Sequence, residues 1–91
     1  MLVYTIEFKP AALRDMRRLS ERMRSAEWDH LKAAIDSLAA TPRSHAAIKL
    51  SGVDQYRLRV GEYRVIYAID DRAQVVTVTK VARRSESTYR R

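Results

Sequence analysis

Apolar side chains take every second position at the start of the chain. Leu2, Tyr4, Ile6 and Phe8 alternate with Val3, Thr5 and Glu7, the period of a half-buried strand. Lys9-Pro10 stops the alternation, and proline suits the first turn of a helix. The period then lengthens. Leu13, Met16, Leu19 and Met23 recur at three- and four-residue steps, with Arg14, Arg17, Arg18 and Arg22 off that face, which predicts an amphipathic helix. Trp28, Leu31, Ile35 and Leu38 repeat the spacing and predict a second helix ending before Thr41-Pro42. A link near Arg24-Ser25 makes the pair a helical hairpin.

Residues 43–49 read as irregular. Three strand-like runs follow at 55–60, 63–69 and 74–82, separated by Gly61-Glu62 and by Asp70-Asp71-Arg72-Ala73. Residues 85–91 form either a short helix capped by Ser85 or a frayed tail. The expected fold class is α+β, in one domain spanning 1–91. An N-terminal strand and a helical hairpin precede a three-stranded antiparallel meander. Together they give one twisted, mainly antiparallel sheet with helices on one face and a short C-terminal tail or helix.

The stretch YRLRVGEYRVIY, residues 56–67, defines the meander's first hairpin. With Gly61-Glu62 as the turn, Val60 lies opposite Tyr63, Arg59 opposite Arg64, Leu58 opposite Val65, Arg57 opposite Ile66 and Tyr56 opposite Tyr67. One face then holds Tyr56, Leu58, Val60, Tyr63, Val65 and Tyr67, suited to receive the helices. The other holds Arg57, Arg59 and Arg64. An even-length connection to the next strand would pair Arg64 near Thr79 and add Val75, Thr77, Thr79, Val81 and Arg83 to the arginine side.

Like charges directly opposite in a sheet are destabilising, by up to about 1 kcal/mol, and no acidic residue is expected on that face. Two readings stand: a solvated outer face whose arginines snorkel apart, or an anion-binding surface exploiting guanidiniums that stay charged and match phosphate with a planar fork. Charge supports the second. The chain carries a net +7, and the excess is uneven. Residues 1–45 hold eight Lys/Arg against six Asp/Glu, a net of +2, whereas 46–91 hold ten against five, a net of +5. A basic excess in one half favours a polyanionic partner, nucleic acid above all.

Composition closes other routes. The 91 residues are 46% hydrophobic with two Gly and two Pro, a globular rather than disordered balance. No Cys is present, so disulfides and thiolate metal sites are excluded and a reducing cytosol fits. The longest apolar runs are about five residues, short of the roughly 20 that a membrane span needs. The opening MLVYTIEF lacks a signal-peptide pattern. The expectation is a cytoplasmic domain without membrane contact.

The Tyr-Arg-Leu-Arg…Tyr-Arg-Val-Ile-Tyr core, the acidic turn and Val-rich strand after it, and the basic residues before Tyr89 resemble the RelE/ParE toxin superfamily. The upstream strand, two helices and Lys49-Leu50 extend the resemblance over nearly the whole chain. It implies a type II toxin that, like RelE members, is a ribosome-dependent endoribonuclease cutting mRNA and is neutralised by a cognate antitoxin. DNA would be met only indirectly, through the antitoxin complex. It also implies catalytic roles for Arg57, Arg59, Arg64, Arg84 and Tyr89, and RNA contacts for Lys49 and Arg83. Either Arg83 or Arg84 fills the family's basic position before the tyrosine, where many members have a histidine that this chain lacks.

The chemistry agrees with that assignment. RNA cleavage through its own 2′-hydroxyl needs a stabilised phosphorane, which placed arginines supply. An arginine is a poor base, which leaves Tyr89 to move a proton or to stack a base; without the resemblance it reads as a terminal tyrosine at the core edge. Rival functions are a ParE-like poison of DNA gyrase and an inactive relative that binds only antitoxin. His30 and His45 read as structural or surface residues, Asp70-Asp71 as turn chemistry, and Trp28 as core or antitoxin contact. Neither metal nor cofactor is expected, since no metal or nucleotide motif is present.

Overall fold

The computed structural model describes residues 3–84. Its elements are β1 (Thr5–Phe8), α1 (Pro10–Ser20), α2 (Ser25–Asp36) with a 3-10 turn (Ser37–Ala39), β2 (Ala47–Lys49), β3 (Tyr56–Val60), β4 (Tyr63–Asp70) and β5 (Val75–Arg83). The five strands form one sheet in the order β1-β5-β4-β3-β2. Only β1 and β5 run parallel; the other neighbours are antiparallel. The α+β class, the helical hairpin and the meander are as the periodicity predicts.

Local chemistry sets the boundaries. Pro10 opens α1, where its missing N–H costs nothing. At the start of α2 the Arg24 N–H donates to the Glu27 carboxylate at 3.4 Å, the returning half of a capping box. Ala12, Leu19, Leu31, Ile35 and Leu38 from the helical layer meet Leu58, Val60, Val65, Tyr67, Val76, Val78 and Val81 from the sheet in one core. Trp28 packs against that core, as its spacing predicts. None of the described helices is long and apolar enough to cross a membrane.

Two departures matter for the site. Part of the stretch read as irregular becomes the edge strand β2, with Ile48 opposite Arg57; three residues are too few to show a period. The second is a slip in the β4–β5 register between Ile66 and Tyr67. Residues 85–91, and with them Tyr89, lie outside the described residues.

Candidate nucleic-acid interface

The β3–β4 hairpin has the register read from the sequence, including Arg59 directly opposite Arg64. Gly61 takes φ +58°, the left-handed value that a two-residue hairpin turn demands. Leu58, Val60, Val65 and Tyr67 are buried toward the helices, so Arg57, Arg59 and Arg64 share the opposite side. Their environments differ. Arg59 is exposed, Arg57 is half-buried, and Arg64 is only 7% exposed. The face is therefore not three equivalent solvated arginines: one charge is embedded, where water screens it least.

The register slip corrects the expected third-strand pairing. Ile66 pairs with Lys80 and Tyr67 with Val78, which leaves Thr79 as an extra residue on β5. The Thr79 hydroxyl donates to the Ile66 carbonyl at 3.2 Å and so secures the bulge. Its effect is to reverse the phase of the last four residues. Arg64 faces Ala82 rather than Thr79, and Val81 and Arg83 pair with Val65 and Tyr63 on the helix side. Lys80 takes their place on the arginine side and is exposed. The ladder continues one step further as the Arg84 N–H donates to the Glu62 carbonyl. By register, Arg84 therefore falls with Arg64 and Lys80 and Arg83 does not.

Lys80 escaped the sequence reading, though its signal was present. Val76 and Val78 are two residues apart, but the next buried valine is Val81, three residues on. A step from two to three is a bulge written in the apolar pattern.

Other candidate residues fall elsewhere. Lys49 pairs with Tyr56 on the helix-side face, with its Nζ 3.1 Å from the Val53 carbonyl oxygen and 6.0 Å from the Tyr56 ring centroid. Arg83 donates to the Glu62 carboxylate at 3.0 Å, which raises its pKa further. His30 and His45 are exposed and outside the sheet face. The Asp70 carboxylate accepts from the Ala73 N–H at 3.0 Å, the turn role expected of it. Two acids do share the arginine side by register, Asp70 at the far end of β4 and Glu7 on β1. Glu7 is three strands from Arg57, roughly 14 Å at sheet spacing. Among the described residues, no ion pair reaches Arg57, Arg59 or Lys80.

The face rests on two polar supports. β1 ends opposite Val78, so the outer edge of β5 loses its strand partner beyond that point. Asp15 on α1 fills the gap, with Oδ2 accepting from the Val81 N–H at 3.0 Å while Oδ1 takes a bond from Arg18 at 3.0 Å. Asp15 is 8% exposed, a buried carboxylate with both oxygens satisfied. At the opposite end, Arg43 makes a bidentate pair with Asp71 at 2.8 and 3.1 Å and donates to the Tyr56 hydroxyl at 3.0 Å. Tyr4 donates to the same carboxylate at 2.6 Å. The Arg43 pair holds the Asp71 carboxyl below its ordinary range, and the bond to Asp71 raises the Tyr4 hydroxyl. Tyr67, stacked on Tyr56 at 5.7 Å, donates to the Pro42 carbonyl at 2.6 Å. Burial pushes its pKa up to about 12.

With this geometry in view, comparison with known proteins is direct. The model of the ParE toxin of type II toxin–antitoxin systems (parDE) matches residues 6–88. The archaeal RelE–RelB complex from Pyrococcus horikoshii OT3 contains a chain that is 24% identical, with TM-score 0.76 over 94% of this chain and 100% of that one. The intact E. coli RelBE toxin–antitoxin complex gives 31% identity and TM-score 0.69 over 88% and 95%. A YoeB/ParE toxin from Agrobacterium tumefaciens shares the fold at 15% identity and TM-score 0.72 over 87% and 96%. No curated protein matches significantly. The chain belongs to the ParE toxin family of type II toxin–antitoxin systems, within the RelE/ParE superfamily.

Proposed function

We propose that this toxin is a ribosome-dependent endoribonuclease that cuts mRNA and is held inactive by a cognate antitoxin. The observation that carries this reading is the sheet face bearing Arg57, Arg59, Arg64 and Lys80, with no carboxylate paired to Arg57, Arg59 or Lys80 among the described residues. Such a surface suits a phosphodiester whose charge grows as it reacts. The 31% identity to a chain of the RelBE toxin–antitoxin complex supports a RelE-like reading and the antitoxin partner.

In the proposed reaction the RNA's 2′-hydroxyl loses its proton and attacks the adjacent phosphorus. The bond to the 5′-oxygen breaks, and that oxygen leaves with a proton, giving a 2′,3′-cyclic phosphate and a 5′-hydroxyl. Arg57 and Arg59 neutralise the non-bridging oxygens, and the embedded Arg64, directly opposite Arg59 on the neighbouring strand, adds fixed charge beside them. Lys80 and Arg84 extend the cationic track along the RNA. Tyr89 is assigned the proton transfer or a stacking contact. Lys49 and Arg83 stand on the other side of the sheet and are left out of the reacting centre.

The match to the ParE model favours a second reading, a gyrase poison without nuclease activity. Inducing the toxin and mapping mRNA 5′ ends on translating ribosomes separates the two. The proposal expects new ends inside reading frames with supercoiling activity intact. Blocked supercoiling with unbroken messages would establish the second reading instead.

A further inference from the structure

A second basic surface lies on the other side of the molecule, on the solvent face of α1. Ala12, Asp15 and Leu19 turn inward, which leaves Arg14, Arg17 and Arg18 exposed together outside. These three line a shallow surface depression with Glu21; Arg18 is paired with Asp15 at 3.0 Å, which leaves Arg14 and Arg17 as the cations without an ion pair among the described residues. Arg14 stands three residues from Arg17 and four from Arg18, so like charges are neighbours on the helix, a mildly destabilising arrangement. A general basic bias does not account for it. The exposed residues of α2 carry Glu27, Asp29 and Asp36 against Lys32, an acidic balance.

We infer that the outer face of α1 is a sequence-independent binding surface for the phosphate backbone of double-helical nucleic acid. Three features select that partner. Arginine forks match phosphate oxygens. The helix carries no aromatic residue, whereas proteins that hold single strands stack bases on aromatic rings. The centre of the patch is charged, whereas the cores of protein interfaces are depleted of charge. Leu13, 49% exposed, lies only at its border. With the sheet face cationic as well, the toxin can hold two nucleic-acid segments at once, one on each side of the sheet. The inference is independent of whether the sheet face cuts RNA.

The test uses the full chain with 20-base-pair RNA and DNA duplexes across a salt series. Arg14→Gln/Arg17→Gln is the informative variant; Arg18 is left intact because it supports Asp15. Unchanged melting of the variant establishes that it is folded. The expected result is about tenfold or greater weakening for at least one duplex and a log–log salt slope shallower by about 2, near 0.9 for each lost phosphate contact. Arg57→Gln/Arg59→Gln, which leaves α1 untouched, should weaken duplex binding less than the α1 variant does. Preferential loss of the RNA duplex assigns structured RNA as the partner; preferential loss of the DNA duplex assigns DNA. Wild-type duplex binding by the α1 variant would overturn the inference. So would duplex binding that the sheet variant weakens as much as, or more than, the α1 variant does.

Discussion

Asp15 shows how much one side chain can settle in this molecule. A strand beside a neighbour that ends early leaves a backbone N–H with no ladder partner, and an unsatisfied buried donor is expensive. Asp15 answers it from the adjacent helix. Asp15→Ala is expected to cost about 1–3 kcal/mol, which at about 4–8 °C per kcal/mol for a domain of this size is plain in thermal melts. Asp15→Asn keeps an acceptor and should cost less. Tyr67 supplies a pH signature. Its native pKa of about 12 exceeds the reference value near 10, so the unfolded chain ionises first. Stability from this group is complete below pH 10 and is lost as pH rises to about 12. Tyr67→Phe should flatten that part of the alkaline melting curve, and an unchanged slope would reject the assignment. Asp71 acts in the opposite sense. Its lowered pKa adds stability above the ordinary aspartate range that is lost as pH falls through the native value. Arg64 illustrates a limit on mutational tests, since Arg64→Ala would vacate a close-packed position and confuse folding with chemistry.

At the scale of elements, the bulge on β5 decides which cations share a face. If the slip at Thr79 is the controlling feature, Lys80→Ala should reduce the salt slope for single-stranded RNA by about 0.7, and Arg83→Ala should leave it unchanged. The reverse result would mean that the phase does not govern the binding surface. The same slip marks the boundary of what the sequence could disclose. The β3–β4 hairpin was legible to the residue, because a two-residue turn and strict alternation leave one register. The helices were legible because their apolar spacing repeats over several turns. The β5 phase was misread because a regular period of two was carried across Thr79-Lys80, where two consecutive polar residues break it. The burial of Arg64, the Asp15 bond to Val81 and the pairing of Arg43 with Asp71 join residues distant in sequence, and no local pattern encodes them.

For the whole molecule, part of the basic excess among the described residues gathers on two surfaces. One lies on the arginine side of the sheet, the other on the outside of α1. Placing the chemistry on the sheet is the central claim, and cleavage of mRNA held in ribosomes tests it most directly. Single-turnover rates would be measured for the wild type and for Arg57→Gln/Arg59→Gln, with melting as the control for folding. Removing pre-placed donors to a developing oxyanion typically costs about 10²–10³ in rate each. The expected result is therefore a loss of at least about 10² by a variant that melts like the wild type. A folded double variant that cuts at the wild-type rate would contradict the assignment of the sheet face as the site of cleavage.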